Sequence, residues 1–172
     1  MSTATAVAVN ISTRDRTLTT RPESWPATFL DSHLCADAKT ATVARPNGRS
    51  AVPNASWHPA GDKCPGRSAA CAVCYAVALE RYRSATAVAA ARRVGQIDEA
   101  LAAGHGAELL AAIVARSRDR QVAAGITRPT FRVHASGDFH SVAYARAWRQ
   151  ACEILAGHPG PAVRLWTYTR SY

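Results

Sequence analysis

A chain of 172 residues is long enough for one domain with a core and too short for two comfortable ones. Its 48% hydrophobic share is that of a globular protein. No apolar run approaches the length of a membrane span, and the first residues lack the charged start and apolar centre of a signal peptide, so a cytoplasmic protein with no membrane partner is expected.

The net charge of +9 comes from 21 basic residues, nearly all Arg, against 12 acidic ones. Such a surface attracts phosphates, which makes nucleic acid a candidate partner. A scattered, solvated set of arginines explains the charge as well, because no block of five or more Lys or Arg occurs.

In chain order, residues 1–27 alternate Ser, Thr, Ala and Val without a usable period and are expected to form a flexible arm ahead of a domain over 28–172. Up to Cys64 the chain is loop-rich. Short strands, such as Thr40 to Ala44, are possible between turns at Pro46-Asn47-Gly48, Pro53-Asn54 and Pro59-Ala60-Gly61. Tyr75 to about Gln96 has helical composition, with Tyr75, Leu79, Tyr82 and Thr86 near one face. Asp98 is expected to open a further short helix. After Gly104-His105-Gly106, a helix over Ala107 to Ala124 should bury Leu109, Leu110, Ile113 and Val114 and stop at Gly125.

From Thr130 to Ser136, Phe131, Val133 and Ala135 alternate with Arg132, His134 and Ser136, as in a strand with one apolar and one polar face. Gly137-Asp138 ends it. Ser141 can cap a helix to about Ala156 with Val142, Ala145, Trp148 and Cys152 or Leu155 inward. Ala162 to Thr169 has strand composition. Strand, helix, strand over this span predicts a right-handed βαβ unit with parallel neighbours, in an α/β fold that binds ligands at the carboxyl ends of its strands.

Three of the five cysteines, Cys64, Cys71 and Cys74, fall in a C-x6-C-x2-C loop with a Pro65-Gly66 turn. An odd cysteine count in a reducing compartment argues against a disulfide framework and for metal binding or thiols. Three thiolates suit a 4Fe-4S cluster whose open iron takes a small-molecule ligand. A zinc-stabilised, basic nucleic-acid-binding protein is the alternative, with Cys35 or His58 as fourth ligand. The candidate pocket residues are His134, Ser136, Gly137 and Asp138 at one strand end, and Tyr168 and Arg170 at the other. There a guanidinium could hold a carboxylate or phosphate. The plain readings are a core or surface histidine, a turn Asp and a frayed terminus.

The segments Cys64-Pro65-Gly66, Cys71-x2-Cys74-Tyr75-Ala76, Phe131 to Phe139 and Leu165 to Ser171 resemble a family of small phage-encoded and actinobacterial gene products of unknown function. More distantly, the cysteine loop ahead of a helix and the Ser136-Gly137-Asp138 strand end resemble radical S-adenosylmethionine enzymes. That second resemblance implies a partial parallel β/α barrel, with Cys64, Cys71 and Cys74 as cluster ligands. Ser136, Gly137 and Asp138 would hold the amino group of S-adenosylmethionine, and His134, Asp138, Tyr168 and Arg170 would line a redox active site.

Overall fold

A computed structural model describes residues 25–37, 52–60, 64–66, 69–71 and 73–168. The central element is strand β2, Thr130–Ser136, flanked in parallel by β1, Ala55–Trp57, and β3, Arg164–Trp166. On one side Thr130, Phe131 and Arg132 pair with Arg164, Leu165 and Trp166. On the other, Ala55 pairs with Arg132 and Trp57 with Ser136, so the register slips between them and β1 bends away along β2. The Ser56 hydroxyl donates to the Val133 carbonyl across this irregular pair. Cys35 adds a single antiparallel bridge to Ala55.

Five helices accompany the sheet: α1 Ala27–Ser32, α2 Tyr75–Tyr82, α3 Ser84–Ala102, α4 Gly106–Ala123 and α5 Val142–Ala156. The stripe Leu109, Leu110, Ile113 and Val114 of α4 is buried as its spacing predicts, against Phe131 and Val133 of β2 and Tyr144, Ala147, Trp148 and Ala151 of α5. Fully burying an aliphatic or aromatic side chain of this size contributes about 1.5–3 kcal/mol, so this layer dominates the stability of the domain. Gly125, at φ +83°, ends α4, and the Gln121 amide then ties that end to the sheet. Gln121 Oε1 accepts from the Thr130 N–H at 3.0 Å, and Nε2 donates to the Thr130 carbonyl at 2.9 Å. On the far side of α4, Arg116 grips Asp31 of α1 through both carboxylate oxygens at 2.8 and 2.9 Å, which holds the Asp31 carboxyl below the usual carboxylate range.

Four expectations need correction. The helix read from Tyr75 to Gln96 breaks at Arg83, whose φ of −125° and ψ of 79° lie outside helical values, and α3 then runs straight through Gly95 and Asp98 to Ala102. The two pieces serve different partners. Tyr75 and Glu80 fasten α2 to β2 and to the exit of β1, while α3 packs along α4. The inner face of α5 is Tyr144, Ala147, Trp148 and Ala151, with Leu155 packed against it; of the expected stripe Trp148 and Leu155 face inward, while Val142 is 67% exposed and Ala145 and Cys152 are exposed. The strand Ala55–Trp57 falls in the loop-rich stretch, where short strands were possible between turns but none was placed at these residues. Finally, the three described strands form an open sheet, so the parallel α/β core is established and the partial barrel is not. The possible strand at Thr40 to Ala44 and nearly all of the arm at 1–27 lie outside the described residues. Among the described residues no helix is long and apolar enough to cross a membrane.

Candidate functional site

The alternation of β2 divides its side chains between two environments. Phe131 and Val133 enter the core, while Arg132, His134 and Ser136 line a cavity of about 320 Å³ at the carboxyl half of the strand. The opposite wall is the cysteine loop with Cys64, Gly66, Cys71, Val73 and Cys74, followed by Tyr75 at the start of α2. Gly137, Asp138 and Tyr168 complete the rim. Eight of the residues singled out from sequence therefore meet around one space: the three cysteines, His134, Ser136, Gly137, Asp138 and Tyr168. Arg170 lies outside the described residues.

Each member is held by the fold. The Tyr75 phenol donates to the Ala135 carbonyl at 3.0 Å, and Glu80 accepts from the Ala60 N–H at 3.0 Å and from Trp57 Nε1 at 3.3 Å. These bonds clamp α2, and with it the cysteine loop, over the sheet. Burial raises the Glu80 carboxyl above its ordinary range, partly offset by those two donors. Arg132 gives Nη1 to Asp37 Oδ2 at 2.9 Å and lies under the Trp166 and Tyr168 rings, 5.1 and 5.8 Å from their centroids. Asp138 Oδ1 accepts from the Phe139 N–H at 2.7 Å, which shapes the turn. Gly137 sits at φ +82°, and a Cβ there would come within 2.8 Å of His58 Cβ and 3.0 Å of the Pro59 carbonyl oxygen. Glycine is required where the two strand exits touch.

His134 forms the back of the cavity. Its Nε2 meets the Tyr144 hydroxyl at 3.2 Å and its Nδ1 meets Thr167 Oγ1 at 3.3 Å. The same Tyr144 hydroxyl reaches His58 Nδ1 at 3.3 Å, which makes a buried chain His58, Tyr144, His134, Thr167. Burial pushes the His134 imidazole down to about 4, against the opposing pull of the Asp138 charge. Burial, with the neighbouring imidazoles, holds His58 well below its ordinary value, and burial raises the Tyr144 phenol. At neutral pH the chain is uncharged and can pass a hydrogen-bonding preference from the interior to the cavity.

The metal expectation is corrected. Ligands of one zinc ion lie about 2.0–2.3 Å from it, so they must crowd together. Among the described residues no group of three or more His, Cys, Asp or Glu side chains could hold a metal ion, although the three thiols share a cavity. Neither candidate fourth ligand joins the cysteine loop: Cys35 is not among the residues lining the cavity and burial pushes its thiol up to about 11, and His58 is buried against Tyr144 and His134. The 4Fe-4S cluster does not fit this donor set, and neither does S-adenosylmethionine bound at its open iron.

Two residues of the site escaped the sequence reading. Tyr144 belongs to the period 144, 147, 148, 151, which a one-residue shift of phase would have exposed. Arg132 was placed on the polar face without a role, and its stacking on Trp166 and Tyr168 needed the β2–β3 register.

Fold and cavity together define a small α/β protein with a pocket at the carboxyl end of a parallel sheet, mixed apolar and polar in its lining and walled by a cysteine loop. The chain belongs to the Gene product 88 family, whose model matches residues 27–172. This agrees with the resemblance to a phage-type family of small gene products, while the resemblance to radical S-adenosylmethionine enzymes gains no support. No curated protein and no solved structure matches the chain.

Proposed function

We propose that this domain binds a small polar molecule in the cavity at the end of β2, through an acceptor oxygen directed at Arg132 and Ser136 and an apolar part against Tyr75 and Tyr168. One observation carries the reading: Arg132 Nε and Ser136 Oγ are buried, have no hydrogen-bond partner among the described residues, and both belong to residues lining the same cavity. Leaving a buried donor unpaired costs about 1–3 kcal/mol, and a ligand carboxylate or carbonyl oxygen would recover part of that. The volume lies at the lower end of small-ligand pockets, which run from about 300 to 1,000 Å³. Neutral His134, with both ring nitrogens engaged by Tyr144 and Thr167, contributes an uncharged ring face to the cavity wall.

Ligand-detected NMR against a set of small carboxylates and amides tests this. At least one should bind saturably, and Ser136→Ala should weaken it about tenfold while leaving the thermal midpoint within a few degrees. No saturable binder across the set, or binding indifferent to Ser136→Ala, would refute the reading.

A second reading, nucleic-acid binding, is supported by the +9 charge and by α2, where Tyr82 is 89% exposed between the exposed Arg81 and Arg83. A gel shift that weakens steeply with salt and is lost in Tyr82→Ala would support it. Absence of a shift at low salt would remove it.

A further inference from the structure

The cysteine loop has chemistry that does not depend on a ligand in the cavity. Cys71 ends the short 3-10 turn Ala69–Cys71, and Cys74 is the residue immediately before α2. Between them the Cys74 N–H donates to the Cys71 carbonyl at 3.1 Å, which closes a tight turn. A turn of this kind keeps its first and fourth Cα atoms within about 7 Å, and disulfides form at Cα separations of about 4.4–6.8 Å. Both thiols are half-buried and line the same cavity, and Val73 between them is 90% exposed, so the turn stands at the surface.

The other cysteines differ. Cys35 is half-buried at the bridge to Ala55, outside the cavity lining, and burial pushes its thiol up to about 11, while Cys152 is alone on the outer side of α5. Cys64 lines the cavity as well, but it comes from a separate turn seven positions earlier in the chain.

We propose that Cys71 and Cys74 are a reversible dithiol–disulfide pair, oxidised by a small-molecule disulfide that reaches them through the cavity mouth. In the first step one thiolate attacks the small disulfide, forms a mixed disulfide and releases one small thiol. In the second, the other cysteine attacks the protein sulfur of that mixed disulfide and expels the second small thiol. The protein loses two protons and two electrons, and the small disulfide gains them as two thiols. The new bond staples the turn at the start of α2, beside the Tyr75 phenol that clamps this helix to β2, and so it couples the redox state of the pair to the wall of the cavity.

Trypsin cleaves after Arg67 and Arg81, which isolates Cys71 and Cys74 together on the peptide 68–81 and separates them from Cys64. The full chain, fully reduced and then equilibrated with oxidised and reduced glutathione, should yield this peptide lighter by two hydrogens and restored by dithiothreitol. Half-conversion should require an oxidised-to-reduced ratio about tenfold lower in the folded chain than in urea, because the fold holds the sulfurs together. A peptide that keeps both thiols or carries two glutathiones, a bridge from Cys64 to either partner, or equal ratios folded and in urea would each overturn the proposal. Cys152→Ser, which removes the exposed competing thiol, should leave the folded-chain ratio unchanged.

Discussion

Gly137 carries two constraints at once, a positive φ of 82° and a gap too narrow for a methyl group beside His58 and Pro59. Gly137→Ala is expected to lower stability by about 2 kcal/mol or more, as urea unfolding would show, because the new Cβ meets backbone on one side and strain on the other. His33 is the opposite case. Its ring is 1% exposed and packs edge-on against Phe29 at 5.0 Å, yet neither ring nitrogen has a hydrogen-bond partner among the described residues. Burial, aided by Arg93 and Arg92, pushes this imidazole down to about 3. Replacing an unsatisfied buried polar group by an apolar one of similar size removes a desolvation cost, so His33→Leu should raise stability by about 1–2 kcal/mol in the same assay at neutral pH. A loss of stability there would mean that the ring has a partner in solution.

At the scale of elements, α2 is the piece whose attachment decides the shape of the cavity. It buries only Ala76 well, and its position depends on the Tyr75 and Glu80 hydrogen bonds. Glu80→Ala should therefore speed amide exchange across Tyr75–Tyr82 by about tenfold, corresponding to about 1.4 kcal/mol of local opening, while exchange in α4 stays near its global limit. Helix α5 is fastened differently. Ser141 Oγ accepts from the Tyr144 N–H at 3.1 Å, and Tyr144 is the phenol that joins His58 to His134. Ser141→Ala should cost about 1 kcal/mol of global stability, measurable as a lower urea midpoint with an unchanged slope.

The whole molecule answers to pH through its buried imidazoles. His33, His58 and His134 all have folded pKa values depressed below the ordinary 6.5, His33 to about 3 and His134 to about 4. A histidine of this kind binds fewer protons in the native state than in the unfolded one. Its contribution is thus complete above about pH 6.5 and is lost as pH falls toward the folded value. Each contributes a slope of about 1.4 kcal/mol per pH unit in that window. Unfolding free energy should be nearly level from pH 8 to 7 and then drop steeply between about pH 6 and 4, with His33→Leu reducing the slope by one imidazole. A level profile down to pH 5 would contradict the burial of all three.

Local pattern settled a good deal by itself. The apolar period of Gly106–Ala123 and its stop at Gly125, the Ser141 cap, the alternating faces of Thr130–Ser136 and the parallel return at Arg164–Trp166 all follow from interactions within a few residues or within one βαβ unit. The polar face of β2 was recognisable as a pocket wall for the same reason, since arginine, histidine and serine alternate with core residues. What spans the chain was decided only in three dimensions. Ala55-Ser56-Trp57 becomes a strand because β2 offers it an unpaired edge, and no three-residue segment announces that partner. The break at Arg83 and the phase of α5 reflect competing neighbours, which periodicity alone does not rank. The cysteine spacing could bring three thiols to one cavity, as it does, but whether their sulfurs converge on a point depends on how β2, α2 and the turn between them pack. Sequence encodes proximity along the backbone directly; distances between remote segments are the outcome of the whole core closing at once.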